Sequence, residues 1–426
     1  MAFGGLLLIV YLSNGRTIWS GDTVGARYLP LSIIREGNFD LDEFRFLYAD
    51  GIPYYVRFVN GHFVSDYPVG AALLAVPFYV PSALGRVSAH SSVVTELEKL
   101  SAATMVAISA AVLYLVARQV VSHRMALLIA TIYALGTSSL SVSSQALWQH
   151  SASQLALTTS LYCFVRGRKE PLWVALAGLP LAFAVISRPP NALIAVPLAA
   201  YVLIYNRRQI WGFVLSGLSP ILFQLWYNAR MFGNPLRSQF PVLSPEGWTT
   251  PLLEGLAGVL LSPSRGLFVY SPIFAFAVIG IGLSWRRNGD IFLRYLSVGA
   301  VLTVLLYSKR HEWWAGFTYG PRFLADLTPI LALSLYPVRC LLIRSWPVKG
   351  AFIVLAILSI GAHSLGAFWD DLSWHVDVDV NRDPAPLWWW TDNQLINSAR
   401  AVGKRVVGAL LALMGVSVSR TGAVGP

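Results

Sequence analysis

The sequence predicts an all-α polytopic membrane protein. Of its 426 residues, 55% are hydrophobic and 12% are charged, and its mean hydropathy is +0.58. Soluble domains carry about 25% charged residues, so a soluble fold of this length could not bury so much apolar surface. The apolar residues stand in continuous runs instead of alternating along the chain, which argues against a membrane β-barrel.

Candidate membrane spans recur along most of the chain, and we expect about 11 to 13 transmembrane helices. Several are shorter than the roughly 20 residues that a straight span requires. Pro77 and Pro81 predict a broken or re-entrant element within the second segment. The segments lie at 2–13, 68–85, 98–118, 125–145, 151–165, 171–187, 191–205, 210–228, 267–284, 291–307, 323–343 and 350–369.

Basic residues gather in short loops between apolar segments, which is the pattern of cytoplasmic loops. The net charge of +11 is therefore a topology signal, and it does not indicate a nucleic-acid partner. By alternation, the loops 14–67, 229–266 and 308–322 face outward. We expect an integral protein of the bacterial cytoplasmic membrane whose active site faces outside.

Two parts of unequal size are predicted. Residues 1–375 form the transmembrane domain, and its three long outer loops form a cap. Residues 376–426 form an extracytoplasmic or interfacial tail, because three tryptophans at 388–390 stand beside prolines, as in an interfacial aromatic belt. The length and outer position of loop 229–266 suggest that it selects the acceptor.

Several kinds of site have no motif here. The sequence contains no HExxH, CxxC or Walker-type glycine loop, so zinc-protease chemistry and ATP hydrolysis lack support. The two cysteines, Cys163 and Cys340, both lie inside apolar segments, which predicts core positions instead of a disulfide or a metal site.

The first candidate site directly follows the first apolar segment. Asp22 stands at a membrane boundary, where an ionisable residue costs free energy unless it is used. Its carboxylate could accept a proton from an attacking hydroxyl, and the alternative is a helix cap. Arg27 and Tyr28 follow within two helical turns and could face the same pocket. Arginine suits a phosphate, although an arginine here could instead extend to lipid headgroups.

A second group of candidates closes the first outer loop. Asp66 and Tyr67 precede Pro68, where Asp66 could bind a metal, contact a sugar hydroxyl or cap a helix. Asp40 and Asp42 have the spacing of an acidic metal motif, although such a pair is often solvated surface.

The remaining candidates combine cations and aromatic rings in the later outer loops. Cations could hold a phosphate or diphosphate and aromatic rings could stack on a sugar, whereas the alternative is an anchoring role at the membrane interface. These candidates are His150, Arg188, Arg310, His311, Trp313, Trp314 and Arg322.

Taken together, these residues give the chain a resemblance to a known superfamily. An acid after the first span, an Arg-Tyr pair, a long outer loop and Asp66-Tyr67-Pro68 resemble the GT-C glycosyltransferases that use polyprenyl-phosphate sugars. The most similar group is family 39, the protein O-mannosyltransferases and aminoarabinose transferases. The chain departs from this pattern where Thr23 follows Asp22 in place of a second acid, and where Asp66-Tyr67-Pro68 stands in place of Lys-Pro-Pro.

The resemblance implies a GT-C-like bundle with an extracytoplasmic cap. It makes Asp22 the catalytic base and Arg27 a contact of the lipid phosphate. Arg310, His311 or Arg322 would take the phosphate role of the missing lysine. Tyr28, Asp66, Tyr67, His150, Arg188, Trp313 and Trp314 are the candidates to bind substrate.

The predicted reaction transfers a sugar from a polyprenyl-phosphate donor to a hydroxyl, with inversion. The acceptor is a glycan, a lipid or a protein, and membrane lipids are further partners. No cofactor is required, although Mg²⁺ or Mn²⁺ at Asp40 and Asp42 is compatible with the resemblance. The alternatives are a polysaccharide polymerase or ligase with diphosphate-linked donors, a lipid-linked sugar flippase or transporter, and a non-catalytic scaffold.

Overall fold

The computed structural model describes residues 2–18, 20–237, 245–370 and 373–413; for 245–246 and 404–413 it describes the backbone alone. Five helices are long and apolar enough to cross a membrane, and seven shorter apolar helices accompany them. A polytopic helical membrane protein is therefore confirmed, while the number of 11 to 13 spans stays a prediction. The five long helices are Ser92–Arg118, Arg207–Phe232, Ile291–Lys309, Arg322–Arg344 and Trp346–Phe368.

The described residues contain nineteen α-helices and one short sheet. In chain order the elements are α1 (Ala2–Leu12), α2 (Gly21–Arg35), β1 (Val56–Val59), β2 (His62–Ser65), α3 (Gly70–Leu84), α4 (Ser92–Arg118), α5 (His123–Leu135), α6 (Gln149–Arg166), α7 (Leu172–Leu176), α8 (Gly178–Ser187), α9 (Ala192–Tyr205), α10 (Ile210–Phe232), α11 (Leu252–Leu261), α12 (Leu267–Tyr270), α13 (Phe274–Ser284), α14 (Ile291–Lys309), α15 (Thr328–Leu333), α16 (Arg339–Arg344), α17 (Trp346–Phe368), α18 (Ser373–Asp377) and α19 (Gln394–Leu413).

The first outer loop contains a β-hairpin, which the all-α prediction omitted. Strands β1 and β2 pair antiparallel, with Val56 opposite Ser65. Asn60 and Gly61 form the turn with φ of 53° and 85°, the left-handed backbone that a two-residue hairpin needs. The hairpin lies against α2 so closely that a Cβ on Gly25 would come 2.1 Å from the Ser65 hydroxyl oxygen.

Two predicted elements have different bounds in the structure. Helix α3 is continuous across Pro77 and Pro81, so the predicted break is wrong. The predicted span 125–145 ends as a helix at Leu135, and a buried π-turn at Ser139–Ser143 follows it. The short hydroxyl side chains of this stretch hydrogen-bond nearby backbone, as where Thr137 donates to the Tyr133 carbonyl, and this competes with a regular helix.

The functional site lies where the cap meets the helical bundle. Helix α4 packs against α6, and α6 against α8, while α2 packs on α3. The C-terminal segment returns to the same region, since Trp374 and Leu387 are buried and the Ser262 hydroxyl donates to the Leu387 carbonyl at 2.7 Å. Helix α11 occupies part of the predicted loop 229–266, of which 238–244 lie outside the described residues, as do 414–426 of the tail.

Candidate active site

Asp22 lies in the first turn of α2 and accepts hydrogen bonds from three side chains. One carboxylate oxygen accepts from the Tyr67 hydroxyl at 2.5 Å and from the Tyr54 hydroxyl at 3.0 Å. The other oxygen forms an ion pair with Nη1 of Arg322 at 2.6 Å. The carboxylate is thus held by the hairpin region on one side and by a distant loop on the other.

These contacts decide the charge of Asp22. Burial alone would raise the pKa of its carboxyl, but the Arg322 charge and the hydrogen bonds from Tyr67, Arg322 and Tyr54 outweigh burial. The pKa therefore lies below its ordinary value, and Asp22 is ionised at neutral pH. Burial and the neighbouring Asp22 carboxylate raise the pKa of Tyr67 and Tyr54, so both phenols stay protonated and continue to donate.

Arg322 begins a 3₁₀ turn, Arg322–Leu327, and is fixed from several directions. Its guanidinium lies 4.5 Å from the centroid of the Trp148 ring, a cation–π distance. Its Nη2 donates to the Ala315 carbonyl at 2.9 Å. These contacts leave the Arg322 guanidinium facing Asp22 in one defined orientation.

Asp22 and Arg322 stand where two cavities meet. The larger cavity has a volume of about 900 Å³ and the smaller one about 70 Å³. Both are lined by Asp22, Tyr67, Arg310, Arg322 and Phe323. A group in either cavity would therefore reach the same carboxylate and the same guanidinium.

The smaller cavity is bounded by a buried polar cluster around Arg188. The Arg188 guanidinium contacts the Asp326 carboxylate at 2.8 Å and donates to His150 Nδ1 at 2.7 Å. It also donates to the Tyr307 hydroxyl. Together with Arg310 and Arg322, Arg188 places three guanidinium groups around this cavity.

The larger cavity is more polar and reaches the C-terminal segment. It is lined by Asp22 and by side chains or backbone of the two termini and loop 308–322, including Arg16, Tyr54, Glu312, Thr318, Asp370 and Asn381. Such a mixture of acids, amides and hydroxyls suits a ligand that offers many hydroxyl groups.

Comparison with known proteins finds similarity in part of the sequence and in the fold. Residues 98–225 match the family model of the dolichyl-phosphate-mannose-protein mannosyltransferases. The structure of ArnT from Cupriavidus metallidurans bound to undecaprenyl phosphate is similar to this chain, with a TM-score of 0.56 and 14% sequence identity. That match covers 96% of this chain and 71% of ArnT. No curated protein matches the chain in sequence. The predicted resemblance to the GT-C superfamily is confirmed.

Six of the candidate residues line the two cavities of this GT-C fold. They are Asp22, Tyr67, His150, Arg188, Arg310 and Arg322. They come from the first outer loop, the start of α6, the end of α8 and the region after α14, which are far apart in sequence. Their convergence supports the selection of these residues.

Arg27 does not reach either cavity. It is 3% exposed and pairs with the equally buried Glu98 of α4 at 2.5 Å. The reason is helical phase, because five residues at 100° each place Arg27 about 140° away from Asp22 around α2. Its neighbour Tyr28 likewise packs against Phe44, with ring centroids 5.1 Å apart.

The other candidates also have contacts outside the cavities. Asp66 pairs with Arg57 at 2.7 Å, and the His311 side chain is exposed away from both linings. Trp313 is buried, with its ring 5.5 Å from that of Trp388. Trp314 donates to the Asn381 side chain at 2.9 Å. Neither tryptophan lines the two cavities at Asp22, and their contact with sugar stays a prediction.

The metal candidates Asp40 and Asp42 form a cluster with His62. Their ligand atoms lie within 4.8 Å of one another, and within the described ranges no other group of three such residues does. The Asp42 carboxylate already accepts from the Phe63 backbone and contacts His62 Nδ1, both at 2.7 Å. These donors could hold a cation, but none of the three residues lines either cavity.

Sequence analysis did not select several residues that the structure brings to the site. Tyr54 contacts Asp22, while Tyr307 and Asp326 contact Arg188. Asp326 could have been selected from the sequence, because it is an acid at the edge of an apolar segment. The two tyrosines could not, since tyrosine is common at membrane interfaces for unrelated reasons.

Proposed function

We propose that this protein is an integral membrane glycosyltransferase that moves a sugar from a polyprenyl-phosphate donor to an acceptor hydroxyl. The observation that carries the proposal is the ionised Asp22, held against Arg322 where two cavities meet. A carboxylate in this position can accept a proton from a group in one cavity while a guanidinium neutralises an anion in the other.

The smaller cavity suits the phosphate end of the donor. Arg188, Arg310 and Arg322 supply positive charge, and planar guanidinium groups bind phosphate through paired hydrogen bonds. Apolar groups of Pro189 and Pro190 border the same space, which suits the first isoprene unit of a lipid. The undecaprenyl phosphate named for ArnT is a molecule of this class.

The larger cavity suits the acceptor. Its polar lining can hydrogen-bond several hydroxyl groups, and it contains Asp22, so an acceptor hydroxyl could approach the carboxylate from this side. The acceptor can be a glycan, a lipid or a protein side chain. We place this reaction on the extracytoplasmic face of the bacterial cytoplasmic membrane, because the loops that carry these residues alternate along the chain with the short basic loops typical of the cytoplasmic side.

In the proposed reaction Asp22 is the general base. It takes the proton of the acceptor hydroxyl as that oxygen bonds to the anomeric carbon, while the bond from that carbon to the lipid phosphate breaks with inversion. The arginines neutralise the charge on the leaving phosphate. Because the donor phosphate competes with Asp22 for Arg322, donor binding should also raise the basicity of Asp22. A divalent cation is not required by these steps.

Three arginines around one cavity also favour a second candidate, a ligase or polymerase that uses diphosphate-linked sugars. A diphosphate carries more negative charge than a monophosphate diester and would use all three guanidinium groups. The two candidates differ in the donor, so one donor panel separates them.

The test is transfer of labelled sugar by the purified protein from polyprenyl-monophosphate and diphosphate donors. Asp22→Asn should abolish transfer from the monophosphate donor in a protein that thermal unfolding shows to be still folded. The matched control is Asp50→Asn, in an exposed turn of the same loop, which should transfer like the wild type. Transfer that survives in Asp22→Asn rules out this base, and transfer from diphosphate donors alone supports the second candidate.

A further inference from the structure

Arg265 lies between α11 and α12 and is 1% exposed, yet its contacts are with neutral groups. A buried charge is costly unless its hydrogen-bonding groups are satisfied. Here all five N–H donors have an acceptor within 3.5 Å, namely the carbonyls of Ser264, Trp314 and Gly316 and the side chains of Gln394 and His375. Arg265 therefore ties three separate parts of the chain together.

One of these parts is the turn 314–316. Arg265 Nε donates to the Trp314 carbonyl at 3.0 Å, and Nη2 donates to the Gly316 carbonyl at 3.1 Å. Between them, Ala315 has a φ of 64°, a left-handed conformation that is unfavourable for a residue with a Cβ. The Ala315 carbonyl accepts from Arg322 Nη2 at 2.9 Å. The three successive carbonyls of residues 314–316 thus accept hydrogen bonds from two arginines, Arg265 and Arg322.

From this arrangement we propose that Arg265 is a positioning residue for the Asp22 site. It fixes the turn 314–316, the turn orients the Arg322 guanidinium through the Ala315 carbonyl, and Arg322 holds Asp22. Its effect on sugar transfer rests on the proposed function, whereas its effect on the geometry of Asp22 does not. A strained residue at such a point is typical of sites whose surroundings impose the backbone conformation.

The C-terminal segment completes this connection. Gln394 is fully buried at the start of α19, and its side-chain oxygen accepts from Arg265 Nη1 at 2.8 Å. His375 of α18 lies 3.5 Å from Arg265 Nη2. The segment after residue 370 therefore acts on Asp22 from a distance, through Arg265 and the turn.

The side chains that contact the Asp22 carboxylate do not include Arg265. They are Arg322, Tyr54 and Tyr67, while Gln149 donates to the Asp22 backbone carbonyl and Arg310 lines the same cavities. A change at Asp22 caused by a variant at 265 or 394 must therefore pass through the turn or through long-range charge. Arg265→Lys and Gln394→Ala leave the net charge unchanged, which isolates the path through the turn.

The experiment uses the full chain in lipid nanodiscs with Arg265→Lys, Gln394→Ala and Gly316→Ala. A Cβ on Gly316 meets no atom within 4 Å, so this third variant changes only the backbone preference at φ 67°. The matched control is Asn393→Ala, which removes hydrogen bonds to the Trp389 and Trp390 carbonyls and from the Ile396 N–H but none to Arg265. Thermal unfolding confirms that each variant is folded.

Two measurements report on Asp22. The first is the pH profile of transfer, with kcat and donor KM separated. The second is infrared titration of the Asp22 carboxyl, assigned by its absence in Asp22→Asn, which requires no activity. We expect the three variants to lower kcat about tenfold, as for small misplacement of a catalytic group, and to move the Asp22 titration to higher pH. Asn393→Ala should change neither.

Folded variants whose Asp22 titration matches the wild type would overturn the proposal, as would an equal shift in Asn393→Ala. If the wild type transfers no sugar but the variants still shift the Asp22 titration, the positioning role is supported and the proposed function is contradicted. Failure of the positioning role and failure of the proposed function are therefore distinguishable.

Discussion

Asp22 and Arg322 are separated by 300 positions in the sequence and form an ion pair of 2.6 Å in the folded protein. The pair joins the first outer loop to the segment that follows α14. Its side chains are 15% and 12% exposed, so water screens it weakly. Both residues line both cavities, and their contact makes the charge of Asp22 depend on Arg322.

Replacement of Arg322 should change the pH at which the protein loses activity. Burial raises the pKa of Asp22 and Arg322 is the strongest opposing influence, so Arg322→Gln should raise that pKa. The base is active only when ionised, and activity is lost as pH falls through its pKa. The acid limb of kcat/KM should therefore move to higher pH.

The measurement is kcat/KM for transfer between pH 4 and pH 8, with Arg400→Gln as a control because Arg400 is exposed on α19. An acid limb that stays in place in Arg322→Gln would show that Asp22 does not control the rate.

Much of this site could be predicted from the sequence, but its pairings could not. An ionisable residue at a membrane boundary is costly unless used, which selects Asp22. Arg322 is selected as an outer-loop cation that could hold a phosphate, and Tyr67 through the resemblance. That Asp22 contacts Arg322 instead of Arg27 depends on the packing of elements 300 positions apart, which no local pattern encodes. The choice of Arg27 failed for a local reason, since proximity in sequence ignored the helical phase of α2.

The fold, like the site, could be predicted from the sequence only in part. Continuous apolar runs predicted the bundle because a bilayer imposes length and composition on each span. The hairpin around Asn60 and Gly61 was overlooked although its turn signal is strong, because the surrounding loop was interpreted only by its polarity. The predicted span 125–145 included the serine-rich stretch after Leu135 because the residues before it are strongly apolar, and hydropathy could not show that the hydroxyls end the helix.

The Arg27–Glu98 pair should contribute to stability and not to donor binding. Both side chains are at most 4% exposed, and removing one partner of a buried pair costs about 3 kcal/mol or more because the other charge is left unpaired. Glu98→Gln and Arg27→Met should each lower the unfolding temperature, and Arg27→Met/Glu98→Leu should recover part of the loss.

Thermal unfolding and binding of polyprenyl phosphate would be measured on the same preparations. Donor affinity should be unchanged in the double variant. A selective loss of donor affinity in Arg27→Met, at wild-type stability, would restore the phosphate role that the resemblance implied.

Removal of divalent cations should leave transfer intact. The carboxylate cluster of Asp40 and Asp42 with His62 lies apart from both cavities, and guanidinium groups already supply positive charge beside Asp22. Initial rates would be compared before and after dialysis against EDTA, and again after addition of Mn²⁺ or Mg²⁺. A rate that falls with EDTA and returns with one of these cations would contradict this prediction, and Asp42→Asn would then show whether the cluster is responsible.

The two cavities should be separable by kinetics. Arg188 contacts the smaller cavity alone, whereas Asn381 contacts the larger one alone. Arg188→Lys keeps the charge but loses the planar fork, so it should raise the donor KM about tenfold, the loss expected for one charge-assisted hydrogen bond. Asn381→Ala should raise the acceptor KM and leave the donor KM unchanged.

Both substrates would be varied in one set of initial-rate measurements, with unfolding followed in parallel because Arg188 is also paired with Asp326. The opposite assignment, with Arg188→Lys acting on the acceptor KM, would mean that donor and acceptor occupy the cavities in the reverse order. Equal effects on both constants would mean that the cavities form one undivided binding space around Asp22.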